Sequence, residues 1–382
     1  MIKELNTLKE IRNINESFPF TDSIREWKEQ GKKVLGYLCT YIPEEIIYAG
    51  GFLPVRITGD SRELELEEAN AYLYIYTCSF ARSCLQLALK NQYDFLDGFV
   101  GCSTCDPIRR LADVWEKYLT TPFLHVLTIP RKSSPDAHKL YQNQVEIFKE
   151  KVEDFFGVKI TEDDLKGAIE VYNKNRELLT KLYELRKSDQ PPISGAETLE
   201  VLNAGFRMSK EQHNALLERL LKEIGIGQRT VKDGLRLMIN GSILNNVEFI
   251  KTIEDHGGSV VVDELCTGSR YFADPVDISS GSPLLEAISK RYLNHFPCAR
   301  MIPFEERFQR IMNLIKEYRV KGVITQVIRY CAPYAKDQVL LKERFEKEGI
   351  PMLILDVEYG MGGIGPIRTR VQAFLEMLSK NI

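Results

Sequence analysis

Between Tyr76 and Asp106 the chain reads YTCSFARSCLQLALKNQYDFLDGFVGCSTCD, and this stretch carries Cys78, Cys84, Cys102 and Cys105, four of the eight cysteines of the protein. A helix-like segment separates the two pairs. It is followed by Asp97-Gly98-Phe99-Val100-Gly101, an apolar run of strand type, so Cys102 and Cys105 fall just past a predicted strand end. Open α/β sheets bind their ligands there, outside the carboxyl ends of the strands. Thiols gathered at such a place with no histidine nearby in sequence suit a soft metal or an iron–sulfur cluster better than a zinc hydrolase.

Outward from this stretch, strands alternate with helices. Lys33 to Leu38 reads as a buried strand, and Pro43-Glu44-Glu45 opens a helix, since proline needs no donor in a first turn and acidic residues suit the helix dipole there. Leu53 to Ile57 and Phe123 to Leu127 are further strands, with a helix from about Pro107 to Tyr118 before the latter. Between Ser134 and Glu223 the period lengthens to that of long helices (Leu165, Ile169, Tyr172, Leu178, Leu182, Leu185), broken by Gln190-Pro191-Pro192. A second alternating pattern follows, with strands at Leu235–Ile239, Val260–Val262, Val323–Val327 and Met352–Leu355. The expected class is α/β: two open parallel-sheet domains joined by a helical region, divided as 1–133, 134–230 and 231–382.

Composition bounds the function. The 382 residues are 44% hydrophobic and 27% charged with a net charge of -3, which is ordinary for a globular protein and offers no basic stripe for nucleic acid. The opening MIKELNTLKEIRN has no continuous apolar run, so it reads as neither a signal peptide nor a membrane span, and the expected location is cytoplasmic. In that compartment eight cysteines are not expected to form structural disulfides, which leaves buried free thiols, catalysis or metal binding.

Cysteine recurs at strand exits in the second half: Cys266 in ELCTGSRYF, Cys298 in the loop HFPCAR, and Cys331 in VIRYCAPY. The Cys102-x-x-Cys105 pair could be a redox dithiol, a pair of cluster ligands or two inert thiols. The first would need a helix starting at the first cysteine, whereas Pro107 starts it after the pair. Gly360-Met361-Gly362-Gly363-Ile364-Gly365 has the form of a dinucleotide fingerprint but lacks the acidic residue ~20 positions on. It is expected to be a loop before the last helix, or an anion site at that helix aided by Arg368 and Arg370. No phosphate-binding GxxxxGK[ST] loop occurs, and five scattered histidines show no zinc spacing.

Taken together, GYLCTYIPEEIIYAGGFLPV, TCSFARSC, STCDPIRRLADVW, VVVDELCTGSRYF, VIRYCAPYAKD, GIPMLILDVEYG and IRTRVQAFLEML resemble the 2-hydroxyacyl-CoA dehydratase and benzoyl-CoA reductase family. The resemblance runs through nearly the whole chain, in the family's order. It implies two flavodoxin-like domains and a [4Fe–4S] cluster held by Cys78, Cys105 and Cys331, with one iron left open. It further implies pairing with a related subunit or a second copy, and an ATP-hydrolysing iron–sulfur activator that delivers the electron. An acyl-CoA would then lose water through a ketyl radical, or have its aromatic ring reduced. Thr40 lies where the family places small polar residues near substrate. A branch of the family, the double-cubane cluster proteins, holds a larger iron–sulfur assembly in a homodimer, for which Cys84, Cys102 and Cys298 would be the extra ligands. A paralogue that binds CoA or acts structurally, with buried thiols, is the non-redox alternative.

Overall fold

The computed structural model describes residues 4–62, 65–226, 229–231, 234–360 and 364–380. Among the described residues, eight strands lie where the alternation places them: β1 (Val34–Tyr37), β2 (Leu53–Arg56), β3 (Gly98–Cys102), β4 (Phe123–Leu127), β5 (Leu235–Gly241), β6 (Gly258–Glu264), β7 (Gly322–Ile328) and β8 (Met352–Val357). They form two four-stranded sheets, β2-β1-β3-β4 and β6-β5-β7-β8, in which every pairing is parallel. Both sheets have the strand order of the flavodoxin type without its fifth strand. Strands covered by helices on both faces are shielded from water and mostly apolar, with polar groups toward their carboxyl ends. Accordingly β1, β2, β3, β6 and β7 are buried along their whole length, while the edge strands β4 and β8 are partly open.

Between the sheets run the long helices that the 3.6-residue period forecast, Pro135–Phe156 and Glu162–Glu184, followed by Gly195–Gly205 and Lys210–Ile226. Their ends are written into the sequence. The Ser134 side chain accepts from the Ala137 N–H with Pro135 behind it, and Gly157 closes that helix in the left-handed region at φ 66°. Thr161 with Asp164, and Ser194 with Glu197, form reciprocal capping boxes.

Two segments pack across the sequence order. The first helix, Asn6–Glu16, buries Leu8 and Ile11 against the helices Gly195–Gly205 and Lys210–Ile226 instead of against the neighbouring sheet. The stretch from Val276 to Met301, which follows β6, packs into the core of the first sheet through Val276, Ala287, Ile288, Tyr292 and Leu293. Ile302 seals that crossing by donating its N–H to the Arg131 carbonyl at 2.8 Å. The halves are therefore interlocked, and the carboxyl ends of both sheets face one shared interior.

Glu44 and Glu45 are not the solvated first-turn residues that a helix dipole would explain. Both are buried in the six-residue helix Glu44–Ala49: Glu45 pairs with Arg176 at 2.5 Å, and the Lys210 ammonium lies 3.8 Å from Glu44. Of the glycine-rich loop, residues 361–363 lie outside the described residues. Arg370 beyond it donates to the Ile354 carbonyl at 2.6 Å.

Candidate metal centre

Strand order reverses between β1 and β3 in one sheet and between β5 and β7 in the other. Each reversal leaves a crevice beyond the strand ends, because the connections leave to opposite faces. The two crevices meet, and a single cavity of about 120 Å³ lies between them. Six thiols line it: Cys39, Cys78, Cys105, Cys266, Cys298 and Cys331.

Three of these share one local structure. Cys78, Cys105 and Cys331 are each the N-cap of a helix, Ser79–Leu89, Asp106–Tyr118 and Ala332–Lys347. Each sulfur sits at the positive end of a helix dipole and takes backbone N–H donation from its first turn, from Phe80 and Ala81 to Cys78, from Ile108 to Cys105 and from Tyr334 to Cys331. That field favours a thiolate. Without a bound cation burial prevails, and it pushes Cys78 up to about 12 and raises Cys105 and Cys331 as well. Cys331 is delivered by Tyr330, which adopts φ 65°, a left-handed conformation that costs a tyrosine about 1 kcal/mol. The Tyr330 and Tyr76 rings stand 5.2 Å apart on the surface outside Cys78 and Cys331, 42% and 56% exposed.

The other three thiols leave loops. Cys39 follows β1, Cys266 follows β6, and Cys298 is fixed by its N–H donating to the Tyr41 hydroxyl at 3.2 Å. Arg56, the last residue of β2, donates through Nη1 to the Cys266 carbonyl at 2.7 Å and places Nη2 3.4 Å from Cys266 Sγ. Thr40 lines the cavity, but its hydroxyl is held, donating to the Cys266 carbonyl at 3.0 Å and accepting from Arg56 Nη2 at 3.3 Å.

Cys84 and Cys102 lie outside this lining. Cys84 is on the helix Ser79–Leu89, wholly buried in the core of the first sheet. Cys102 ends β3, with Sγ 3.1 Å from Thr104 Oγ1 and next to Cys39 across the β1–β3 register. A hydrogen bond from Cys102 outweighs burial and brings Cys39 down to about 6. Sequence reasoning left Cys39 and Cys266 out of the ligand candidates, although each stands within two residues of a strand end.

Among the described residues no three His, Cys, Asp or Glu side chains close on one point at the spacing of a single metal ion. Six thiols around a cavity, three of them on helix N-termini, match in donor chemistry a polynuclear iron–sulfur group. His295 also lines the cavity. Its Nδ1 lies 2.6 Å from the Tyr292 carbonyl, which can only accept, so Nδ1 carries the proton and Nε2 keeps its lone pair. Burial and the nearby Arg291 hold His295 neutral, well below the ordinary range.

A second cavity, of about 430 Å³, adjoins the first and shares Thr104, Cys105, Arg300 and Pro333 with it. Arg109, Arg131 and Lys336 stand on its walls, beside the first turns of the helices Asp106–Tyr118 and Ala332–Lys347. Arg109 and Lys336 have no carboxylate at ion-pair distance among the described residues.

Residues 39–378 match the family model described as 2-hydroxyglutaryl-CoA dehydratase, D-component. The chain is 28% identical over 372 residues to a benzoyl-CoA reductase subunit of Thauera aromatica, with 95% of each chain covered. It is 25% identical to the (R)-phenyllactyl-CoA dehydratase beta subunit of Clostridium sporogenes, covering 93% of this chain and 94% of that one. To the beta subunit of (R)-2-hydroxyglutaryl-CoA dehydratase of Acidaminococcus fermentans the identity is 27%, covering 93% and 95%. Among the described residues no helix is long and apolar enough to cross a membrane.

Proposed function

Since the chain belongs to the 2-hydroxyglutaryl-CoA dehydratase D-component family, whose relatives are subunits of acyl-CoA dehydratases and of a benzoyl-CoA reductase, we propose that it is the iron–sulfur component of such an enzyme. Cys78, Cys105 and Cys331 would hold a [4Fe–4S] cluster. The observation that carries this reading is the shared placement of these three thiols, each capping a helix whose dipole favours the thiolate, around one cavity. When bound, the cluster supplies an electron at low potential, handed over by an ATP-hydrolysing iron–sulfur activator.

The protein's own residues would do the rest. The two sheets shelter the thiols, His295 stays neutral and keeps a lone pair at Nε2 able to accept a hydrogen bond, and the adjoining cavity offers Arg109, Arg131 and Lys336 to the phosphates of a CoA thioester. The beta-subunit names of the relatives support a partner, either a related subunit or a second copy of this chain. Removal of water from a 2-hydroxyacyl-CoA and reduction of an aromatic ring both use this arrangement.

A second reading is favoured by one specific observation. Cys39, Cys266 and Cys298 complete a lining of six thiols, two sets of three, which fits a double-cubane assembly better than a lone cube. Iron and acid-labile sulfide per chain, measured on protein purified without oxygen, test both readings. About four irons per chain support the single cluster and about eight the double cubane. Iron-free protein that is folded and never exposed to air would refute both and leave the thiols structural.

A further inference from the structure

The two sets of thiols differ in what stands opposite them. Cys78, Cys105 and Cys331 face helix N-termini, whereas Cys39, Cys266 and Cys298 lie in loops beside buried arginines. Arg56 ends β2 and Arg270 follows β6, so each sheet contributes one arginine from the strand at the equivalent edge. Both line the thiol cavity, and they are 2% and 1% exposed.

Neither guanidinium is fully used by the described residues. Arg270 meets Glu264 at 3.2 Å on its Nε side and donates through Nη2 to the Gly241 carbonyl at 3.4 Å, yet among the described residues Nη1 has no acceptor. Arg56 uses Nη1 and Nη2 on the Cys266 carbonyl, Cys266 Sγ and Thr40, and among the described residues its Nε has no acceptor. A buried N–H without an acceptor costs stability, and one that faces a cavity of ligand type is accounted for by a bound group that completes it. On the other side, the charge of Arg82 acts on Cys78, but this side chain is spent, donating to the Thr77 carbonyl and Asn70 Oδ1. Arg300, two residues after Cys298, also lines the cavity with an Nε that has no acceptor among the described residues, so the incompletely used cations of the thiol cavity are Arg56 and Arg270 beside Cys266 and Arg300 beside Cys298.

We propose that Arg56 and Arg270 are positioning residues that hold, through charge and N–H donation to its sulfide atoms, the part of the iron–sulfur group bound by Cys39, Cys266 and Cys298, and that they raise the reduction potential on that side of the cavity. The inference rests on the double-cubane reading of the cavity, in which all six lining thiols are ligands, and adds a direction to it. An electron entering near Cys78 and Cys331, behind the exposed Tyr76 and Tyr330, is drawn toward the arginines.

The test is a redox titration followed by electron paramagnetic resonance, on full-length protein purified without oxygen, for the parent, Arg270→Met and Arg270→Lys. Arg270→Met is expected to shift one midpoint potential to a more negative value, and Arg270→Lys, which keeps the charge, to restore most of the shift. A folded Arg270→Met protein that has lost about half of its iron supports the assignment equally. Unchanged potentials in an iron-replete Arg270→Met protein overturn it while leaving the cluster reading intact; a parent with about four irons per chain overturns it and keeps the single cluster, and an iron-free parent overturns both. If Arg270→Met does not fold, the same titration on Arg56→Gln against Arg56→Lys decides by the same criteria.

Discussion

Arg176 Nη2 and Glu45 Oε1 lie 2.5 Å apart, and both side chains are buried where the long helix Glu162–Glu184 packs on the helix Glu44–Ala49. Arg291 adds a second positive charge, and the Tyr292 hydroxyl donates to the other Glu45 oxygen at 2.7 Å. Breaking such a pair from one side leaves an uncompensated buried charge. Arg176→Met should therefore cost about 3–5 kcal/mol, whereas the double change with Glu45→Leu recovers most of it. Urea unfolding of the two variants checks this; equal losses would mean that the pair is not coupled.

Gly241 ends β5 at the strand reversal with φ 143°, and a Cβ there would stand 2.0 Å from the Gln326 carbonyl oxygen on β7. Gly241→Ala is expected to lose about 3 kcal/mol or more and to lower the iron content, because β5 and β7 frame the cavity. Gly349→Ala, at φ 68° with open space around it, should cost only about 1 kcal/mol and leave iron unchanged. Both effects are read from thermal unfolding and iron analysis.

Cys105→Ser should abolish iron binding at its set of three thiols. Cys84→Ala should keep full iron, since Cys84 packs in the core of the first sheet and lies outside the cavity lining. The cost of Cys84→Ala is expected to be about 1 kcal/mol, the loss of one small buried group. Loss of iron in Cys84→Ala would place a ligand where the fold has a core residue.

His213 is buried and held down to about 3, first by burial and then by Lys210. Asn175 donates to its Nδ1 at 2.9 Å, and Nε2 lies 3.1 Å from the Val201 carbonyl, so the folded state keeps it neutral. Unfolded, it takes a proton at about 6.5. The unfolded state thus binds more protons between these values, and stability is full above pH ~6.5 and falls as the pH drops toward 3. At pH 5 the loss from this residue is about 2 kcal/mol. His213→Gln should flatten that part of the difference between denaturation midpoints at pH 7 and pH 5.

Arg109→Ala and Lys336→Ala should each raise KM for a CoA thioester about fivefold, on the order of 1 kcal/mol for a solvent-facing cation, with kcat unchanged. Steady-state kinetics with the reconstituted system measure this. An unchanged KM in the double variant would assign the adjoining cavity to something other than the phosphates.

Strands were legible because a parallel sheet favours short, β-branched, mostly apolar runs, and Val260-Val261-Val262, or Val323 to Val327 with Thr325 and Gln326 inside it, fit that pattern. The sequence marked a helix limit at Ser134, where the long period begins, but the caps at Thr161 and Ser194, although their chemistry is local, went unread. The grouping of thiols was not legible. Cys84 and Cys266 have the same chemistry in sequence, and only the docking of two distant crevices separates a core residue from a cavity residue. Arg56 and Arg270 were equally hidden, because charge in a sequence reads as surface until burial is known. The acidic pair Glu44-Glu45 fitted a helix start so well that its partners, Lys210 and Arg176, had no sequence signal at all.

The crossing of Val276–Met301 into the core of the first sheet bears on how the protein is made. The cavity draws its thiols from Cys39 through to Cys331, and Cys298 is held in place only once its segment has crossed back to Tyr41. A chain still emerging from the ribosome has the first sheet's thiols but no enclosure for them. On the proposed iron–sulfur reading, loading with iron and sulfide would therefore be a late event in biogenesis, since a shortened product ending before β7 lacks Cys331 and the second crevice and would leave its thiols open to oxidation.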